Sequence, residues 1–329
     1  MMKCNCTMTI VAQLALAIGG LFVSASALWA QPAQFRIAVL TPGLTFEPVF
    51  LGFKEGLERH GYGPGKVDFM VEDTKGSVTD LPGRVATLLK AKPDLIFTAG
   101  TALSLAAKKA TSTVPIVFAA VADPVRSGLI AEYQSSRNNL TGISSYAGPM
   151  SGKRLEVFNQ IAPMVKRLLV IIPSKEVIAQ VSLPFLEEAA KRLNIQIVRH
   201  EVATKADISD ALMKTAKGSV QGIFLLPSIL VSSHVDVLIK KAIEDRIPFF
   251  VHEASYVEQG ALASYGGDLR LTGVQLSRLV AKVLKGEKPS NIPTETPEKF
   301  LLVVNAATAK TIGLKIPSAV AGKVDHMVE

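Results

Sequence analysis

The sequence predicts an α/β protein of two doubly wound lobes with parallel sheets, and three observations carry that reading. Strand-length apolar runs alternate with amphipathic helical stretches from Phe35 onward, the pattern of parallel strands covered by helices on both faces. The alternation runs once to Ser144 and restarts after Gly148, which makes two lobes. A weak internal echo relates the halves: Asp94-Leu95-Ile96-Phe97 resembles Gln221-Gly222-Ile223-Phe224, and Val114-Pro115-Ile116-Val117-Phe118 resembles Ile247-Pro248-Phe249-Phe250-Val251. A length of 329 residues suits two domains, and 48% hydrophobic against 19% charged residues marks a core-forming chain.

The first element is an export signal. Lys3 supplies a positive start, Ile10 to Val23 an apolar stretch broken only by Gln13, and Ser24-Ala25-Ser26-Ala27-Leu28-Trp29-Ala30 the small residues before cleavage, so residues 1 to 30 read as a secretory signal peptide. Cleavage after Ala27 or after Ala30 both satisfy the sequence, and an uncleaved anchor stays open because residues 10 to 30 just reach bilayer length. Cys4 and Cys6 precede the apolar stretch, so the exported part has neither disulfides nor thiol chemistry and is held by its core.

The first lobe is expected over residues 34–146. Strand Phe35 to Leu40 leads through Thr41-Pro42-Gly43-Leu44-Thr45 into helix Pro48 to His60, with Val49, Phe50, Phe53 and Leu57 on one face and Gly61 at its end. Strand Val67 to Val71 follows, then a helix capped by Asp80 with Pro82 in its first turn and Val85, Leu88 and Leu89 inward. Asp94 to Thr98, helix Ala102 to Ala110, Ile116 to Ala119 and Leu140 to Ser144 complete the series.

The second lobe is expected over residues 147–267. It reads as helix Lys153 to Ile161, strand Arg167 to Ile172, helix Pro184 to Leu193, strand Ile195 to Val202, a helix capped near Asp207, strand Gly222 to Leu226, helix Ser233 to Asp245, and strands Pro248 to Val251 and Ala261 to Ser264. A helix at about 268–286 rejoins the first lobe, and a strand and helix at about 298–316 rejoin the second.

Several functions are disfavoured. The net charge of +8 is spread along the chain without a basic block, and Lys108-Lys109 and Lys240-Lys241 sit on solvated helix faces, so nucleic acid is not an expected partner. Gly61-Tyr62-Gly63-Pro64-Gly65 ends a helix before a strand, the reverse of a dinucleotide fingerprint. Gly148 to Arg154 has the wrong spacing for a phosphate loop, there is no nucleophile elbow, and His60, His200, His234, His252 and His326 lack metal-ligand spacing. No cofactor, metal site or catalytic set is expected.

In doubly wound sheets ligands bind at the carboxyl ends of strands, where loops and helix amino ends present backbone donors. The candidates there are Thr41 and Phe46, then Gly100, Thr101 and Ala102, then Asp123 in the first lobe; Ser174, Ser228, Glu253 and Tyr265 in the second. Gly100-Thr101 opens a helix and offers amide and hydroxyl donors to a carboxylate, or Thr101 merely caps that helix. Asp123 or Glu253 suits a ligand ammonium, while Asp123-Pro124 is equally an ordinary turn former. Phe46 and Tyr265 stack on a ligand ring or pack in the core.

An ordered set of motifs covers the exported chain: Val114 to Ala119 running into Asp123-Pro124-Val125, Gly128-Leu129, Asn139-Leu140-Thr141-Gly142, Gly260 to Gly266, Gly286-Glu287-Lys288-Pro289, Pro297-Glu298-Lys299-Phe300, Asn305, and Ala309-Lys310 to Gly313-Leu314. The set resembles bacterial ABC-transporter periplasmic substrate-binding proteins of the tryptophan/tyrosine-binding type. That resemblance implies a type I periplasmic-binding-protein fold, with two Rossmann-like lobes joined by a three-crossover hinge and ligand closed between them. It implies aromatic amino acid ligands, with the carboxylate on the position of Gly100-Thr101-Ala102 and the ammonium on second-lobe acids. The chain differs by having Ser255 where relatives carry a second Asp, and Ile229-Leu230 where they carry Asp-Asn. A deaminated aromatic or other hydrophobic carboxylate therefore suits the site as well. The expected partners are a small-molecule ligand and a membrane permease with its ATPase, the chain acting in the periplasm as a monomer. A ligand sensor signalling through a membrane receptor is the alternative.

Overall fold

The computed structural model describes residues 35–43 and 46–329. The expected signal segment, and Leu44 and Thr45 of the first loop, lie outside the described residues.

Two sheets form the protein. The first, in the order β2-β1-β3-β4-β5, is parallel throughout and comprises β1 (Phe35–Thr41), β2 (Val67–Asp73), β3 (Leu95–Ala99), β4 (Ile116–Val121) and β5 (Leu140–Ser144). Alternate side chains of a strand point to opposite faces, so a sheet covered on both faces needs continuous apolar runs. In β1, Ile37 and Val39 join a core with Phe53, Phe97 and Leu276, whereas Ala38 and Leu40 join another with Val85, Leu103 and Phe118. Helix α1 (Glu47–Arg59) covers the first face, and α2 (Leu81–Lys90) and α3 (Thr101–Ala110) the second.

The second sheet has the order β12-β11-β10-β9-β8-β6-β7. It comprises β6 (Arg167–Pro173), β7 (Gln196–Val202), β8 (Gly222–Phe224), β9 (Phe249–Val251), β10 (Ala263–Gly267), β11 (Phe300–Asn305) and β12 (His326–Val328). Leu168, Val170 and Ile172 of β6 face one core and Leu169 and Ile171 the other. β6 to β10 are parallel, but β11 runs antiparallel to β10, with Tyr265 opposite Leu302. This departs from the uniformly parallel sheet expected, because the chain enters β11 on its return from the first lobe and not from a crossover helix.

The helices of this lobe are α4 (Ala147–Ile161), α5 (Val177–Leu193), α6 (Lys205–Lys214), α7 (Ile229–Ser232), α8 (Val235–Asp245) and α9 (Ala254–Glu258). α4 starts before the expected Lys153, since Pro149 falls in its first turn, where no amide is needed. α5 contains Pro184 instead of starting there; its buried face, with Ala179, Val181 and Leu186, runs through the proline. α6 is capped near Asp207, with Thr204 as the capping residue: Thr204 Oγ1 accepts from Asp207 N at 3.3 Å, and Asp207 Oδ2 accepts from Thr204 N at 2.9 Å, a reciprocal capping box. The helix expected over Ser233 to Asp245 is α8, starting two residues later at Val235, and the short α7 precedes it as an element the periodicity does not show.

The chain then runs through α10 (Leu269–Leu284), β11, α11 (Ala306–Thr311), α12 (Ser318–Ala321) and β12. It crosses between lobes after β5, after β10 and before β11. After the second crossing α10 lies on α1 so closely that the backbone at Gly52 meets the Arg270 carbonyl and that at Gly273 meets the Val49 carbonyl, leaving no room for a Cβ. The third crossing runs beside β5: Ser144 N donates to Glu295 O at 2.8 Å and Glu295 N to Gly142 O at 2.9 Å. Gln275 of α10 fastens it, donating to Glu295 Oε2 at 2.7 Å and Thr296 O at 3.0 Å.

Candidate ligand-binding site

The carboxyl ends of the first-sheet strands hold five of the expected groups plus the aromatic Phe46. Thr41 ends β1, largely buried, with its carbonyl accepting from Thr74 N at 2.9 Å. Phe46 is half-buried against the core that includes Phe53 and Phe97, the packing role. Gly100 sits at φ +89°, which favours glycine, and a Cβ there would meet nothing within 4 Å, so this end of β3 opens onto free space. Its own amide is used, donating to Ala119 O at 2.9 Å. Thr101 Oγ1 accepts from Ala122 N at 3.2 Å, which ties the β3 and β4 loops together and leaves the hydroxyl proton to donate elsewhere. The amides of Thr101 and Ala102, first in α3, have no intrahelical acceptor. Asp123 is spent locally: Oδ1 accepts from Val125 N at 3.1 Å and Arg126 N at 3.0 Å, and Arg126 Nε lies 3.8 Å from Oδ2. The turn-forming reading fits this geometry better than a ligand ammonium does.

Two residues near this rim have unusual backbones. Ala120 has φ +54° at the register shift between β4 and β5, and Tyr146 has φ +52° at the amino cap of α4 with its ring 42% exposed. Such conformations are held in place by their surroundings; here Ser145 N binds Val121 O at 2.8 Å and Ala147 N binds Ala122 O at 2.9 Å. Tyr146 is an exposed aromatic at the first crossing that motif reading does not single out.

In the second lobe Ser174 is exposed and donates to Val202 O at 3.3 Å, and Ser228 is buried with Oγ accepting from Val231 N at 3.0 Å as the cap of α7. Both hydroxyls serve loop structure. Glu176 reaches across from the amino end of α5 and accepts from Ile229 N at 2.7 Å and Leu230 N at 2.8 Å, filling the amino end of α7. Ile229 itself is 50% exposed, an apolar side chain at the end of β8.

Glu253 and Tyr265 come together around a residue sequence reading misses, Arg154 of α4. It is 4% exposed; Nε donates to the Tyr265 carbonyl at 2.7 Å, and Nη1 has no hydrogen-bond partner among the described residues. Burial lowers Arg154 to about 10, against the pull of Glu253 and Tyr265. Burial pushes half-buried Glu253 up to about 7, with Arg154 opposing. His252 is held at about 3, hence neutral, by burial and then by Arg154, and its Nδ1 is also without a partner among the described residues. The Tyr265 ring stacks on Phe300 at 5.9 Å and an interplanar angle of 26°, packed at the edge of the core. A helical wheel would have revealed Arg154: it shares the face of Met150, Phe158 and Ile161, all buried.

Among the described residues no three His, Cys, Asp or Glu side chains group as a metal site, and no helix is long and apolar enough to cross a membrane. The arrangement offers neutral donors in one lobe and a charged cluster in the other, which can bind and orient a small polar group carrying an apolar body.

Comparison with known proteins bears on the family and the fold. The tyrosine-binding protein of Clostridioides difficile (strain R20291) is 28% identical over 271 residues, 82% of this chain and 77% of that one. A conserved domain protein of Vibrio cholerae superimposes with a TM-score of 0.82 at 28% identity, covering 89% of this chain and 99% of that one. The fold is shared with a Streptococcus pneumoniae ABC domain solved in complex with L-Trp, TM-score 0.83 at 21% identity, covering 90% of this chain and 100% of that one. Residues 37–328 match the family described as ABC transporter substrate binding protein, a family of small-ligand binders and not of enzymes, and the chain belongs to it.

Proposed function

We propose that the chain is an extracytoplasmic solute-binding protein that captures an aromatic or hydrophobic amino acid, or a related carboxylate, between its lobes and delivers it to the permease and ATPase of an ABC importer. The observation that carries the reading is a pair of complementary groups, one in each lobe: the Thr101 hydroxyl with the amides of Thr101 and Ala102 beside open space at Gly100, and Arg154 of α4 with Glu253 in the other lobe. Residues 34–146 with the helix at about 268–286 form one moving body; residues 147–267 with the segment at about 298–316 form the other. A ligand touching both bodies binds the closed form more tightly and shifts the population toward it. Residues 1 to 30 direct export to the periplasm, where the chain acts as a monomer.

The test is the thermal midpoint of the purified protein against L-tryptophan, L-phenylalanine, L-tyrosine, branched-chain amino acids and their deaminated acids. A ligand at 100 times its Kd adds about 2.7 kcal/mol. No shift with any of them rejects the ligand class. Export predicts a periplasmic protein beginning at Leu28 or Gln31, and delivery predicts that deleting the gene abolishes uptake of the ligand found; retained uptake would favour a sensor.

A further inference from the structure

Arg126 and Phe185 meet across the two lobes. Arg126 belongs to the loop that leaves β4 in the first lobe, and Phe185 lies in α5 of the second. Arg126 Cζ stands over the Phe185 ring, 5.7 Å from its centroid, within reach of a cation–π contact. Among the described residues no other cation–π contact, ion pair or aromatic pair joins the lobes away from the three crossings.

Each partner is held by its own lobe. Phe185 is half-buried where α4 bears no side chain: a Cβ on Gly148 would stand 2.8 Å from Phe185 Cε2, and one on Gly152 3.0 Å from the Phe185 carbonyl oxygen. The ring therefore lies against the first turn of α4, directly after the first crossing. Arg126 is placed by Asp123, whose Oδ1 accepts from the Arg126 amide at 3.0 Å and whose Oδ2 lies 3.8 Å from Arg126 Nε. The residue before Asp123 is fastened on both sides, since Ala122 N donates to Thr101 Oγ1 at 3.2 Å and Ala122 O accepts from Ala147 N at 2.9 Å. One short run of chain thus joins the Thr101 corner, the first crossing and Arg126.

We infer that Arg126 and Phe185 are positioning residues, a clasp that sets how the two lobes stand against each other without touching the ligand. Rotation of one lobe about the crossings moves the guanidinium off the ring, because the two are carried by different lobes. The described arrangement is favoured by the worth of an exposed cation–π contact, about a two- to fivefold bias in population. That bias passes into affinity by the same factor, because the ligand binds the fraction of protein in the competent arrangement. The clasp stands on geometry alone, and its consequence for affinity rests on the solute-binding reading.

The test is the distance between spin labels at Lys90→Cys in α2 and Lys191→Cys in α5, both exposed positions, measured without ligand in protein whose Cys4 and Cys6 are replaced by serine. Arg126→Gln should shift the population away from the wild-type distance by about two- to fivefold. Phe185→Leu should do the same, the double variant should exceed neither, and Arg126→Lys should recover part of the wild-type distribution. Should Phe185→Leu not fold, the two substitutions of the 55% exposed Arg126 side chain decide. An unchanged distribution in Arg126→Gln, or single effects that multiply in the double variant, overturns the clasp. Calorimetric titration of wild type and Arg126→Gln with L-tryptophan, L-tyrosine and 3-phenylpropanoate reads the consequence: affinity for whichever binds should differ by that same factor. Equal affinities overturn the coupling of the clasp to capture. Binding of none of the three overturns the ligand class of the solute-binding reading, and the label distances still decide the clasp.

Discussion

Replacing Glu253 by glutamine should change how stability depends on pH, in a direction fixed by its neighbours. Burial raises this carboxyl from an ordinary 4.5 to about 7, with Arg154 opposing. Between those values the folded protein holds a proton that the unfolded chain releases. The stabilisation is therefore fully present below about 4.5 and is lost as pH rises through about 7. Each tenfold change in proton affinity is about 1.4 kcal/mol, and discounting the full difference for the solvent contact Glu253 retains leaves roughly 1–2 kcal/mol. His252 acts in the opposite sense: held at about 3 instead of 6.5, it contributes fully above 6.5 and loses that contribution as pH falls toward 3. The two slopes oppose each other from about 4.5 to 6.5, and above that range the Glu253 slope stands alone. Glu55 and Asp207, both lowered by hydrogen bonds, are felt only on the acid side of their ordinary range. Urea unfolding of ligand-free wild type and Glu253→Gln at pH 5, 6, 7 and 8 isolates the effect. The wild type should lose roughly 1–2 kcal/mol relative to the variant between pH 5 and 8. A difference that stays flat would refute the buried, proton-holding Glu253.

Three further substitutions test other joints of the structure. Gly273→Ala puts a Cβ against the Val49 carbonyl and 2.6 Å from Phe53 N, so α1 and α10 must separate; a loss of about 3 kcal/mol is expected in urea unfolding, and an unchanged midpoint would show that the seam yields. Glu176→Ala strips two acceptor bonds from the Ile229 and Leu230 amides and should lower stability by about 1–2 kcal/mol, with faster hydrogen exchange at those two amides as the local check. Thr101→Val preserves shape and removes the hydroxyl that holds Ala122 N; ligand affinity should fall about tenfold, roughly 1.4 kcal/mol, and Thr101→Ser should restore it. Equal affinity in Thr101→Val would remove this residue from the site.

The fold was legible because the central strands of its sheets are buried on both faces. Ile37-Ala38-Val39-Leu40 must be apolar at every position when Ile37 and Val39 enter one core and Ala38 and Leu40 the other. Helix starts were harder to read, since a proline marks a first turn at Pro149 and an interior position at Pro184, and only packing distinguishes them. α9, α12 and β12 span too few residues to show a period. The reversed β11 depends on where the chain comes from, which no local pattern encodes. At the site, loop positions were readable but the roles of their polar atoms were not, because a hydroxyl or carboxylate at a strand end looks the same whether it caps a helix or faces a ligand. Ser228 Oγ and Asp123 Oδ1 accept from neighbouring amides, and Arg154, next to the exposed Lys153, shows its burial only through the helix face it shares with Met150, Phe158 and Ile161.

Hydrogen bonding at the strand ends leaves different polar groups uncommitted in the two lobes. In the first lobe the Gly100 amide and the Asp123 carboxylate are taken, so what it presents is neutral: the Thr101 hydroxyl proton and the first amides of α3. In the second lobe Ser174 Oγ donates to Val202 O, Ser228 Oγ accepts from Val231 N and Glu176 fills α7, and the charge there is that of the buried Arg154 and the titrating carboxyl of Glu253. Neutral donors discriminate weakly among polar groups, whereas a buried charge discriminates strongly by sign, since the wrong sign adds desolvation to repulsion. Substitutions around Arg154 should therefore change which ligand is held, and substitutions around Thr101 should change how firmly the lobes close on it. If the two sets of variants altered selectivity alike, this division of labour would be wrong.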